Sequence, residues 1–185
     1  GLFYTNRIFT GGIVYTNIFF DAEKLNDRYL AYIPLLCALL EETGLPGIPY
    51  YEVSSRMDIL SGSWYISNIS ESCTDGSVRK YLMVRFAALE EKARESASFM
   101  FEILKNGCLD DTDRIKAVIT SIRNDLKEEI FDNGHYIAAM AASGRLSESS
   151  YMYSLWNGIP QLQFLESLDT DNEEQMKETA RILEQ

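Results

Sequence analysis

The stretch IPLLCALLEETG, residues 33–44, decides how the chain reads. From Ile33 to Leu40 it carries no polar side chain except the thiol of Cys37. Charge arrives only with Glu41 and Glu42, and Thr43-Gly44 ends the run. A helix at the surface of a domain keeps one polar face, so a helix apolar all round is a buried one. The doubled acid at its end raises the question of chemistry. Adjacent helical residues point about 100° apart, so Glu41 and Glu42 are poorly placed to share a proton or a metal ion. Both are expected to be solvated at the helix end, and a general acid with a raised pKa arises only if one is buried.

Working outward, two runs rich in β-branched and aromatic residues precede this helix, at 2–9 and 12–21, joined at Thr10-Gly11-Gly12. Such a pattern predicts a hairpin. Both faces of 12–21 are largely apolar, which predicts a strand central in its sheet. The helix itself is expected from Asn26 to Thr43, and a second from Tyr51 to Leu60. Two further β runs, 63–70 and 80–89, flank Asp75-Gly76, a hairpin signal. Beyond Glu90 the pattern is helical. Leu89, Ala93, Ala97, Met100 and Leu104 form one stripe; Ile115, Val118, Ile119, Ile122, Leu126 and Ile130 form another. Asp111 or Thr112 is placed to cap the second, and Thr170 or Asp171 to cap the last helix. Strands first and helices after predict an α+β domain, residues 1–185, with an antiparallel sheet of about four strands and helices packed on one face.

Composition narrows the function. With 17 basic and 28 acidic residues the net charge is -11. This excludes a nucleic-acid partner that relies on clustered Lys and Arg, and no apolar run is long enough to span a bilayer. Cys37, Cys73 and Cys108 show no paired spacing, which removes zinc-knuckle and redox motifs. Free thiols suit a reducing compartment, cytoplasm or organelle matrix. His135 is the single histidine, and any Ser-His-Asp or Cys-His arrangement would have to use it. It follows Asn-Gly at a helix start, where a structural role is expected. No nucleophile elbow, phosphate loop or dinucleotide fingerprint occurs. The acidic runs 109–113 and 169–174 lack the glycine and the closing acid of a calcium loop and precede helices, where carboxylates favour the positive dipole end.

Taken in order, TGGIVYTNIFFD (10–21), LAYIPLLCALLEETG (30–44), YYEVSSRMDILSGSWYIS (50–67), LDDTDRIKAVITSIRNDL (109–126), DNGHYIAAMAA (132–142) and LWNGIPQLQFLESL (155–168) resemble the insulinase (pitrilysin) family of zinc peptidases. The branch they resemble is presequence-protease-like, and within it the non-catalytic third domain. The resemblance implies four similar α+β domains in two halves around a closed peptide chamber, with zinc held in the first domain by His-x-x-Glu-His and a later Glu. It aligns the histidine positions with Leu35 and Leu39, the glutamate position with Ala38, and the third-ligand position with the neighbourhood of Ser121.

On this reading the chain has no catalytic or metal residue of its own, and zinc belongs to the catalytic domain of a parent protein. Its partners are the catalytic half of the same polypeptide and unstructured peptides. The chain is expected to be clipped at both ends, leaving a sheet edge able to pair with a second copy. The competing reading is a stand-alone interaction module on the same fold.

Overall fold

Three segments of strand composition pair into one antiparallel sheet: β1 (Ile13–Asp21), β2 (Ser63–Ser72) and β3 (Val78–Leu89), in the order β1-β3-β2. The computed structural model describes residues 2–184, and three strands are formed among them. β3 is therefore central, with Ile18 opposite Val84 on one side and Ile66 opposite Val84 on the other. This corrects the expectation that 12–21 is the central strand. Its two apolar faces reflect a strand at an edge that leaves Tyr15, Phe19 and Phe20 exposed. Residues 2–9 form no paired strand either. Strand-type composition marks a capacity to pair, and here the run stands open ahead of the turn at Gly11-Gly12.

The expected helix 26–43 is two helices, α1 (Asp27–Leu30) and α2 (Ile33–Glu41). Asn26 caps the first by accepting from the Arg28 amide at 3.1 Å. The break has a cause in the sequence: Pro34 has no N–H for the Leu30 carbonyl four residues back. The carbonyls freed at the joint are taken by distant side chains. Trp156 Nε1 donates to Leu30 at 2.7 Å and Gln161 Nε2 to Ala31 at 3.2 Å.

The remaining helices are α3 (Tyr50–Leu60), α4 (Ala93–Asn106), α5 (Thr112–Asp132), α6 (Gly134–Ser143), α7 (Glu148–Asn157), α8 (Ile159–Ser167) and α9 (Glu173–Leu183). Asp111 caps α5 as expected, accepting from the Arg114 amide at 3.0 Å. The cap of α9 is Asn172, accepting from the Gln175 amide at 3.1 Å, in place of Thr170 or Asp171. The turn at Asp75-Gly76 closes the β2–β3 hairpin, with the Asp75 carboxylate accepting from the Ser77 amide at 2.9 Å.

Helices cover one face of the sheet. Ile66, Val84 and Phe86 meet α2, α3, α4 and α7 in a core that includes Cys37, Leu40, Met57, Met100 and Trp156. A second core lies behind α2 and is built from α5, α8 and α9. α2 is the wall between the two. Ile33, Cys37 and Leu40 belong to the sheet-side core, Leu35 and Leu39 to the helical one, and Leu36 touches both. A helix flanked on opposite sides by cores has no face left for polar residues, which is what residues 33–40 required.

Candidate functional site

Leu35 and Leu39 stand four residues apart, so they share one face of α2. Both are fully buried, in one cluster with Ile115, Val118 and Ile119 of α5 and with Leu165, Leu168 and Met176 beyond it. Ala38 packs on the margin of the same cluster. Ser121 does not join it. It is exposed, so what α5 contributes to the cluster is aliphatic. On the face where the resemblance would set a zinc centre, the side chains of Leu35, Ala38 and Leu39 carry no donor atom, and two imidazoles and a carboxylate would be costly to bury there without partners. Among the described residues no group of three His, Cys, Asp or Glu is arranged to hold a metal ion.

The doubled acid at the end of α2 has work of another kind. The Glu41 carboxylate accepts from the backbone amide of Ile66, tying α2 to the outer edge of β2. Glu42 pairs with Arg114 of α5, whose guanidinium lies 3.9 Å from the centre of the Tyr50 ring. The expectation that both acids are simply solvated is thus corrected. Each fastens α2 to a neighbouring element, and no local signal could reveal partners 25 and 72 residues away.

Burial raises the Glu41 pKa above the ordinary carboxylate range, and the Ile66 amide offsets part of that rise. A carboxyl whose folded pKa lies above its unfolded value binds more protons in the folded state. Its contribution to stability is complete below the unfolded pKa and is lost as pH rises through the folded one. Glu41→Gln should therefore remove a falling slope of stability with pH just above the ordinary carboxylate range, seen as the difference from the parent in urea midpoints, while keeping an acceptor for Ile66. Glu41→Ala should lose about 1–3 kcal/mol at neutral pH by leaving that amide unpaired. Equal stability of the Ala and Gln variants at every pH would sink this account.

Burial, reinforced by the Glu41 carboxylate, pushes the Cys37 thiol up to about 12, so it stays protonated at neutral pH. His135 is exposed in the first turn of α6. A hollow of about 390 Å³ is lined by Arg28, Tyr29, Tyr32, Phe164, Glu178 and Ile182. Burial and Glu178 together raise the Tyr32 hydroxyl pKa, which disfavours it as a base. A second hollow, about 330 Å³, contains Lys80 and Glu148, already paired at 2.8 Å. Among the described residues, no helix is long and apolar enough to cross a membrane.

Fold and site together define a class: an α+β domain whose paired helices close on each other through leucine and isoleucine. The chain belongs to the peptidase M16 (subfamily C) associated family, whose model matches residues 3–168. Its similarity extends to a mitochondrial presequence protease of Candida albicans, 28% identical over 178 residues, and to a chloroplastic/mitochondrial presequence protease of Arabidopsis thaliana, 24% identical over 180 residues. These alignments cover 91% and 96% of this chain and 17% of each relative. Protein HypA of Clostridium perfringens is 31% identical over 138 residues, 74% of this chain and 14% of that protein. The chain thus spans about a sixth of the length of these curated relatives. A conserved protein from Enterococcus faecalis shares the fold with a TM-score of 0.58 at 16% identity, over 93% of this chain and 39% of its own. The likeness to the presequence-protease-like branch of the insulinase family, read from the order of motifs, is borne out, and with it a non-catalytic domain of that family.

Proposed function

We propose that this chain is a wall of the closed peptide chamber of a zinc-dependent oligopeptidase, a domain that completes the enclosure and leaves bond cleavage to the other half of the polypeptide. The observation that carries the reading is the Leu35–Leu39 face of α2, buried against Ile115, Val118 and Ile119 where a catalytic relative would hold metal. Membership of a peptidase-associated family supports it, as does the likeness to the presequence proteases of Candida albicans and Arabidopsis thaliana. Leu35, Ala38 and Leu39 are then remnants of a zinc helix converted to core. The third-ligand position falls on the α5 helix near Ser121, whose side chain has turned to solvent. Zinc, in this reading, sits in the catalytic domain of the parent. The compartment is an organelle matrix or the cytoplasm.

The test compares the isolated chain with the full-length polypeptide that carries it. Unstructured peptides should be cleaved by the full-length protein alone, with zinc retained after dialysis there and near zero in the isolated chain. Metal-dependent cleavage by the isolated chain would overturn the proposal. So would a full-length protein without zinc or peptidase activity, which would favour the interaction-module reading. The net charge of -11 suits basic peptides. Turnover indifferent to peptide charge and to salt would remove that preference.

A further inference from the structure

The two edges of the sheet are treated differently. The outer edge of β2 is guarded: Glu41 takes the Ile66 amide, and Ser70 Oγ donates to the Ser149 carbonyl of α7 at 3.0 Å. Among the described residues, none gives the outer edge of β1 such a cover. Its pairing with β3 is framed by the Glu90 amide donating to the Gly12 carbonyl and the Ala22 amide donating to the Lys80 carbonyl, both at 2.9 Å. Even-numbered residues therefore bond inward, and Ile13, Tyr15, Asn17, Phe19 and Asp21 turn their amides and carbonyls outward.

Immediately before this edge the chain makes a hairpin turn without a hairpin. Gly11 and Gly12 have φ of 64° and 83°, and the Ile13 amide donates to the Thr10 carbonyl at 3.4 Å. Positive φ at both central residues marks the type I′ turn, whose twist matches two antiparallel strands joined by two residues. The arm leading into it is strand-like in composition yet unpartnered: Leu2, Phe3, Tyr4, Ile8 and Phe9 are 74% to 99% exposed.

We propose that residues 2–9 are a tethered strap that closes on the β1 edge as a fourth strand and withholds it from other chains. The turn sets the register. Counting outward from Thr10 opposite Ile13, the hydrogen-bonded pairs are Ile8 with Tyr15, Asn6 with Asn17, Tyr4 with Phe19, and Leu2 with Asp21. These are the residues of β1 whose backbone groups face outward, so turn and edge agree in phase. Closure also sets Tyr4 beside Phe19 on the open face of the sheet and Phe3 beside Phe20 on the helical side, aromatic pairs that stabilise antiparallel strands. The structure holds the strap open with its turn already made. A second copy and the strap compete for the same row of groups, so the strap opposes self-association of the chain. The inference stands apart from the chamber reading, since it concerns this chain alone.

Hydrogen exchange of the intact 185-residue chain tests it residue by residue. The Tyr15, Asn17 and Phe19 amides are the probes, and the inward-facing amides of β1 report that the sheet is folded. Asn6→Pro removes a donor aimed at Asn17 and should speed exchange of the three probes by about tenfold or more, whereas Thr5→Pro, whose amide faces away, should change them less than about twofold. Probes that exchange as fast as in an unfolded peptide would overturn the proposal, as would two prolines of equal effect. Protection that grows with protein concentration and survives Asn6→Pro would mean that a second copy covers the edge, and that too would overturn it.

Discussion

Installing histidine at Leu35 and Leu39 together with glutamate at Ala38 is expected to abolish cooperative unfolding in neutral buffer, and added zinc should not restore it. Each leucine is fully buried between α2 and α5. Truncating one buried leucine costs about 2–5 kcal/mol through lost transfer energy and an unfilled cavity. Two such losses approach the stability of a whole domain, about 5–15 kcal/mol. The polar groups brought in would face Ile115, Val118 and Ile119, which supply neither a third ligand nor hydrogen bonds, so the penalty for burying them adds to the loss. Leu39→Ala alone should lower stability by about 2–5 kcal/mol, measured from urea midpoints. A triple variant that unfolds cooperatively and retains stoichiometric zinc after dialysis would show that the site still has the geometry of a metal centre, and the filled-in reading would fall.

Trp156→Ala should be comparably damaging, at about 3–5 kcal/mol. The indole is 3% exposed in the sheet-side core, and its Nε1–H donates to the Leu30 carbonyl across 126 residues of sequence. That carbonyl is available because Pro34 cannot donate to it, so the tryptophan repairs the break between α1 and α2. Trp156→Phe separates the two roles. Most of the packing volume stays, and the unpaired carbonyl should account for about 1–3 kcal/mol. If the phenylalanine variant unfolds at the same urea concentration as the parent, the hydrogen bond contributes nothing and only the volume matters.

The sequence determined by itself whatever depends on residues close along the chain. Eight residues without a charged side chain required α2 to be buried. Asp111 marks a true helix start, and Asp75-Gly76 marks a true hairpin, because a cap or a turn involves only its nearest neighbours. The ordered motifs carried the family, and the apolar residues at 35, 38 and 39 carried the expectation that α2 packs.

Only the tertiary structure decided what each of these elements faces. Composition could not tell an edge strand from a central one, because Tyr15 and Phe19 on an open face look the same in sequence as side chains under a helix. Nor could it separate Asn172 from Thr170 and Asp171 as the last cap, three polar residues within a short acidic run, of which backbone placement selected one. Glu41 and Glu42 at a helix end suggested solvated charges. Their fates were set by the Ile66 amide and the Arg114 guanidinium, which chain folding alone brings within reach. Propensity and patterning act over a turn or a strand repeat. Pairing partners, burial and the shift of a carboxyl's pKa arise from contacts between segments far apart in the chain, and these exist only once the core has closed.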